Sequence, residues 1–122
     1  MTRVYIGCPS TDYRSVDLMR AIAAAKLKWP DAEVFVPDSA KKIFLADRQG
    51  IEHFVFLSWY DGRITFGVGR ELKLASQRQI GLWQYNRTTG LLDEVQKVPR
   101  GILNREDTAE LERAHIQETY RR

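Results

Sequence analysis

The chain has one cysteine, Cys8, in 122 residues. No internal disulfide can staple it, which fits a reducing compartment and predicts a cytoplasmic protein. It has two histidines, His53 and His115, and no His/Cys cluster at metal-ligand spacing, so neither a metal nor a cofactor is expected. Long apolar runs are missing too. No stretch approaches the ~20 apolar residues of a membrane span, so no membrane partner is expected. Arg3 is followed by only a short apolar run before Gly7 and Pro9, too short for the core of a signal peptide. Neither charge dominates: 19 basic residues face 16 acidic ones, for a net charge of +3. The signs are interspersed, and no basic run is longer than a pair such as Arg121-Arg122. That argues against a nucleic-acid partner and leaves a mild preference for anionic small molecules.

What is present is ordinary globular material, 43% hydrophobic and 29% charged. No repeat, low-complexity tract or linker divides it, so residues 1–122 are expected to form a single domain with a core of its own.

Val4 to Cys8 is a short apolar run ended by Gly7 and Pro9, which predicts a buried strand and a turn. Ser10 or Thr11 is placed to cap the following helix, with Asp12 in its first turn. Leu18, Ile22, Ala25 and Trp29 recur at helical spacing until Pro30. Glu33 to Val36 predicts a second strand, closed by Pro37. Ser39 is placed to cap a second helix containing Ile43, Phe44 and Ala46 and ended by Gly50. His53 to Tyr60 is apolar almost throughout, as a strand covered on both faces is. After the turn signal Asp61-Gly62, a third helix is expected from Gly67 to about Gln77. A fourth strand follows over Ile80 to Tyr85, and Leu91 to Val98 reads as an antiparallel edge strand. Asn104 is placed to cap a last, mostly polar helix reaching Tyr120, suited to the surface or to a partner. Strands alternating with helices imply an α/β fold with a mostly parallel sheet of about five strands.

Such sheets bind ligands where the strands end. Three segments sit there: Gly7-Cys8-Pro9-Ser10-Thr11, Pro37-Asp38-Ser39, and Tyr60-Asp61-Gly62 leading into Gly67-Val68-Gly69-Arg70-Glu71. Gly67 and Gly69 permit close backbone approach at a helix start, where free N–H groups attract an anion. No Gly-Lys-Ser or Gly-Lys-Thr follows, so the segment is no Walker loop. Leu72 stands where the dinucleotide fingerprint needs its third glycine. Two roles fit Glu71. In the first turn of its helix it complements the dipole, which favours the ionised form. At a strand-end crevice, an ionised carboxylate also suits attack on an anomeric carbon.

Two motifs resemble the nucleoside 2-deoxyribosyltransferase and 2′-deoxynucleoside 5′-phosphate N-hydrolase superfamily. Val4-Tyr5-Ile6-Gly7-Cys8-Pro9 is similar to its opening strand and turn. Thr65-Phe66-Gly67-Val68-Gly69-Arg70-Glu71-Leu72-Lys73-Leu74-Ala75 is similar to its glycine-rich helix start. The resemblance covers roughly residues 3 to 85 in element order. It implies a flavodoxin-like (Rossmann-like) three-layer sandwich. It further implies Glu71 as nucleophile and Tyr5 as the hydroxyl that orients it. Thr65 and the Gly67 N–H would meet a 5′-phosphate, and Asp47 would place sugar and base. Gly7, Cys8, Pro9 and Gly69 complete the expected substrate-binding set. Three departures concern the substrate: Lys73 replaces a glycine, His53 replaces an aspartate, and the Tyr60-Asp61-Gly62-Arg63 loop is longer.

The implied activity is cleavage of the N-glycosidic bond of a nucleoside or nucleotide, as a hydrolase or a deoxyribosyltransferase. Thr65 and the basic balance favour a nucleotide and hydrolysis. A non-catalytic nucleotide-binding or regulatory module on the same fold is the alternative. The resemblance implies a homodimer or larger homo-oligomer. Other residues carry two readings each. Tyr60 and Trp83 suit base stacking or the core. Arg14 and Arg63 suit a phosphate or solvent. His53 suits proton transfer or a structural place. His115 suits solvent, and Cys8 a small buried position.

Overall fold

The computed structural model describes residues 1–37 and 44–120. They form five strands and three helices: β1 (Arg3–Gly7), α1 (Val16–Lys28), β2 (Glu33–Phe35), β3 (His53–Phe56), α2 (Phe66–Gln77), β4 (Gly81–Tyr85), β5 (Leu92–Val95) and α3 (Arg105–Tyr120). One sheet holds all five strands in the order β2-β1-β3-β4-β5. Its first four strands are parallel, and β5 runs antiparallel to β4 at the edge. The α/β class and the mostly parallel five-strand sheet are therefore as the sequence implies. No helix among the described residues is long and apolar enough to cross a membrane.

Strand alternation divides the core in two. Val4, Ile6, Val55 and Leu57 pack with Leu18, Ala21 and Ala25 of α1. Tyr5, Phe54 and Phe56 pack with Val68, Leu72 and Ala75 of α2. The register sets Tyr5 beside Phe54 and Gly7 beside Phe56, so Tyr5 and Gly7 share the face that α2 covers.

Two helix expectations are corrected. Helix α1 starts at Val16, where Ser15 Oγ accepts the Leu18 N–H at 3.0 Å. Ser10 to Asp12 form a separate 3-10 turn, so neither Ser10 nor Thr11 is the cap. The reason lies in Asp12. Its fully buried carboxylate is bound by Arg87 and also accepts from the hydroxyl of the cap residue, Ser15, at 3.1 Å, so it stands before the helix and not in its first turn. Arg87 also pairs with Asp17 at 2.5 Å and donates to the Ser58 carbonyl at 2.7 Å.

The helix expected from Ser39 to Gly50 falls partly outside the described residues, which do not include Asp38, Ser39 or Ile43. Its described part is a single 3-10 turn, Leu45–Asp47, followed by extended Arg48. Asp47 Oδ2 accepts the Phe44 N–H at 3.3 Å, which closes that turn locally. Arg78 Nη1 and Nη2 then bind the carbonyls of Leu45, Ala46 and Arg48 at 3.2–3.3 Å. Carbonyls that a longer helix would use are thus engaged by a side chain.

Candidate active site

A cavity of about 580 Å³ opens where β1 and β3 end. The loop after β1 contributes Cys8, Pro9, Ser10 and Tyr13 to its wall. Phe44, Ala46 and Asp47 come from the segment before β3. Thr65, Gly67, Val68, Arg70, Glu71 and Leu74 come from the start of α2, and Thr108 and Glu112 from α3.

Glu71 enters the cavity because of helical spacing. Val68, Leu72 and Ala75 are the buried stripe of α2, and Glu71 sits three residues after Val68 and four before Ala75 on the same face. A carboxylate thus occupies a position that amphipathic spacing reserves for an apolar side chain. It lies in the second turn, not the first as expected, and α2 has no acidic residue in its first turn. The dipole argument for an ionised Glu71 is overturned with it. Burial is the largest influence and raises the pKa from 4.5 to about 7. The Leu45 N–H, which donates to Oε2 at 3.3 Å, opposes that rise, as do Tyr5 and Arg70.

Tyr5 stands beside this carboxylate. Its hydroxyl is buried and closes no hydrogen bond of ordinary geometry. It is nonetheless near enough that the two groups influence each other, holding Glu71 down and Tyr5 up. Burial is the main cause of the raised Tyr5 pKa, so the phenol remains a proton donor. Gly7 makes the arrangement possible. A methyl group there would lie 2.8 Å from Phe54 Cζ and 3.0 Å from Glu71 Oε1.

No family model, curated protein or solved structure matches the chain.

The structure brings Cys8, Pro9, Asp47, Thr65, Gly67 and Glu71 around one cavity, with Gly7 and the fully buried Tyr5 beside Glu71 and outside the lining. Gly69 is not part of the wall. A Cβ there would collide with the Ile102 side chain, so that glycine admits Ile102 instead of a ligand. Asp47 reaches the wall while its Oδ2 is engaged by Phe44. Thr65 precedes α2 at 2% exposure, but its hydroxyl does not cap the helix. Burial pushes the Cys8 thiol up to about 12, which leaves it protonated and unreactive.

Other side chains lie elsewhere. Trp83 packs edge-on to Trp29, and its Nε1–H donates to His53 Nδ1 at 3.1 Å near the start of the strands. That places Trp83 and His53 away from the cavity. Arg63 pairs with Asp61 at 2.6 Å. Arg14 adopts a left-handed turn conformation, φ 66°. Tyr60 is half exposed and stacks on His115, ring centroids 5.3 Å apart, so His115 is not simply solvated.

Sequence reasoning missed Tyr13, Arg70, Thr108 and Glu112 in the wall. Arg70 lies inside a segment already singled out, and Tyr13 lies two residues beyond the segment Gly7 to Thr11. Thr108 and Glu112 are one helical turn apart on a polar helix whose spacing gives no hint of where it docks.

Proposed function

We propose that the protein cleaves the N-glycosidic bond of a nucleoside or nucleotide, with Glu71 as nucleophile. The observation that carries this reading is Glu71 itself: a partly buried carboxylate with pKa near 7, beside the Tyr5 hydroxyl, in the wall of a cavity at the strand ends. A carboxyl perturbed by burial in a cleft is a candidate functional group. In the proposed step, ionised Glu71 attacks C1′ and the C1′–N bond breaks. Its electron pair passes to the base, which takes a proton from water. Water then attacks C1′ of the glycosyl ester, regenerates the carboxylate and releases the sugar; a second base in place of water gives transfer.

The strand order 2-1-3-4-5 and the separate cores on the two faces support a flavodoxin-like three-layer sandwich. The free, buried thiol of Cys8 is compatible with a reducing cytoplasm. A homodimer also belongs to this proposal, although α3 of the same chain already covers one side of the cavity.

A binding module without turnover is the second reading. The specific observation in its favour is that a group with pKa near 7 is about half neutral at pH 7. Incubation with a panel of deoxynucleosides and their 5′-monophosphates separates the two. Release of free base that is lost in Glu71→Gln supports the glycosidase. Tight binding with no release supports the module.

A further inference from the structure

The wall that α3 adds to the cavity bears on what the site accepts. Phe66 is the first residue of α2, and its N–H belongs to the group of helix-start donors that receives anions in other proteins. Here that N–H donates to Thr108 Oγ1 at 3.0 Å. One turn along α3, on the same face, Glu112 lines the cavity and its Oε1 accepts from Ser10 Oγ at 3.0 Å. Asp47 and Glu71 line it as well, and Arg70 is the one Lys or Arg among the described lining residues.

From Phe66 to Glu71 is five residues, an axial rise of roughly 7.5 Å. A pentose is shorter than that from C1′ to its 5′ oxygen, so a sugar with C1′ at Glu71 fits inside the cavity that Glu71 shares with Thr108 and Glu112, and a 5′-phosphate extends further toward its wall.

Building on the glycosidase reading, we propose that the site selects an uncharged nucleoside and rejects its 5′-phosphate, with Glu112 as the specificity-determining residue. A 5′-hydroxyl donates a hydrogen bond that a carboxylate accepts. A phosphate monoester brings mainly acceptor oxygens and negative charge to the same place, beside the Glu112 carboxylate, where one of the helix-start donors, the Phe66 N–H, is already occupied. Rejection thus comes from a repulsive group, not from the lack of an attractive one. The local acids reverse the preference for a nucleotide that Thr65 and the net charge of +3 suggest in the sequence.

The test compares wild type with Glu112→Gln, whose amide keeps an oxygen for Ser10. Three probes are titrated by calorimetry: a deoxynucleoside, its 5′-monophosphate and inorganic phosphate. Base release from the first two is measured in parallel. The expected result is a wild-type preference for the nucleoside of at least about 100-fold in kcat/KM. Glu112→Gln should narrow that ratio by about tenfold or more, through KM for the monophosphate, and should bind inorganic phosphate more tightly than wild type. A wild type that uses the monophosphate as well as the nucleoside overturns the proposal. So do phosphate affinities that are equal in the two proteins. If neither nucleoside nor monophosphate binds while Glu112→Gln still gains phosphate affinity, the glycosidase reading fails and anion rejection by Glu112 stands.

Discussion

Gly7 and Glu71 are bound by a steric relationship: the carboxylate Oε1 lies 3.0 Å from the point where a side chain at Gly7 would begin. The same point is 2.8 Å from the Phe54 ring. Phe54 is fully buried, so neither neighbour yields easily. Gly7→Ala is expected to lower stability by about 1–3 kcal/mol, as overpacking does elsewhere. It should also lower turnover at least about tenfold by displacing Glu71. Urea denaturation and steady-state kinetics measure the two effects. A variant unchanged in both would show that the carboxylate is not confined by β1.

Glu71 makes stability depend on pH in a direction opposite to most carboxylates. Its folded pKa, about 7, lies above its ordinary 4.5. The protonated folded form is favoured, so this contribution is intact below about pH 4.5. It declines as the pH rises and is gone above about 7. The shift corresponds to roughly 3 kcal/mol. Glu71→Gln should remove that dependence and be more stable than wild type at pH 8 by up to about that amount. Denaturation midpoints at pH 5 and pH 8 check this. If the variant loses stability at pH 8, Glu71 is held by favourable interactions instead of being buried at a cost. The same pKa predicts that kcat/KM rises with pH up to about 7, because the ionised form attacks.

Tyr5→Phe removes a buried hydroxyl that closes no hydrogen bond of ordinary geometry. Stability should therefore change by less than about 1 kcal/mol. Turnover should fall about 10- to 150-fold, the worth of a hydrogen bond to a charged group made as the reaction proceeds. The acidic limb of the pH profile should move upward, since Tyr5 lowers the pKa of Glu71. Unchanged kinetics and an unmoved limb would separate Tyr5 from the reaction.

Arg87 anchors the turn that carries Ser10 into the cavity. It pairs with Asp12 at 2.7 Å, and the Asp12 side chain is 1% exposed. Arg87→Met leaves that carboxylate buried and unpaired, so a loss of about 3–5 kcal/mol is expected. Adding Asp12→Asn should recover part of it, because the stranded charge is then gone. Thermal denaturation of the single and double variants measures the coupling. A double variant that only sums the two single losses would argue against a direct pair.

Much of this architecture is legible in the residues. The apolar run His53 to Tyr60, the turn at Asp61-Gly62 and the edge-strand signal of Leu91 to Val98 mark the sheet's parallel body and its antiparallel edge, although the strands themselves are shorter, His53–Phe56 and Leu92–Val95. Asn104 caps α3 as its side chain suggests, accepting the Asp107 N–H at 2.7 Å. Long-range polar contacts are not legible. Asp12 reads as a helix-start residue until Arg87, 75 positions away, is seen to hold it. The turn at Leu45–Asp47 depends likewise on Arg78. Within the site, the spacing of Glu71 with Val68, Leu72 and Ala75 is visible in the sequence, and it points to burial more directly than the glycines do. Gly69 misled because a glycine that admits Ile102 and one that admits a ligand look alike in sequence.

The central claim is that Glu71 attacks the anomeric carbon, and capture of the resulting ester tests it most directly. Wild type is mixed with a deoxynucleoside, quenched within the first turnover and digested, and its peptides are weighed. The account predicts a mass increase of one deoxyribosyl group on the peptide that carries Glu71, with none in Glu71→Gln. That variant should also lose many powers of ten in base release. Base release by Glu71→Gln within about tenfold of wild type, or an adduct on another residue, would contradict it.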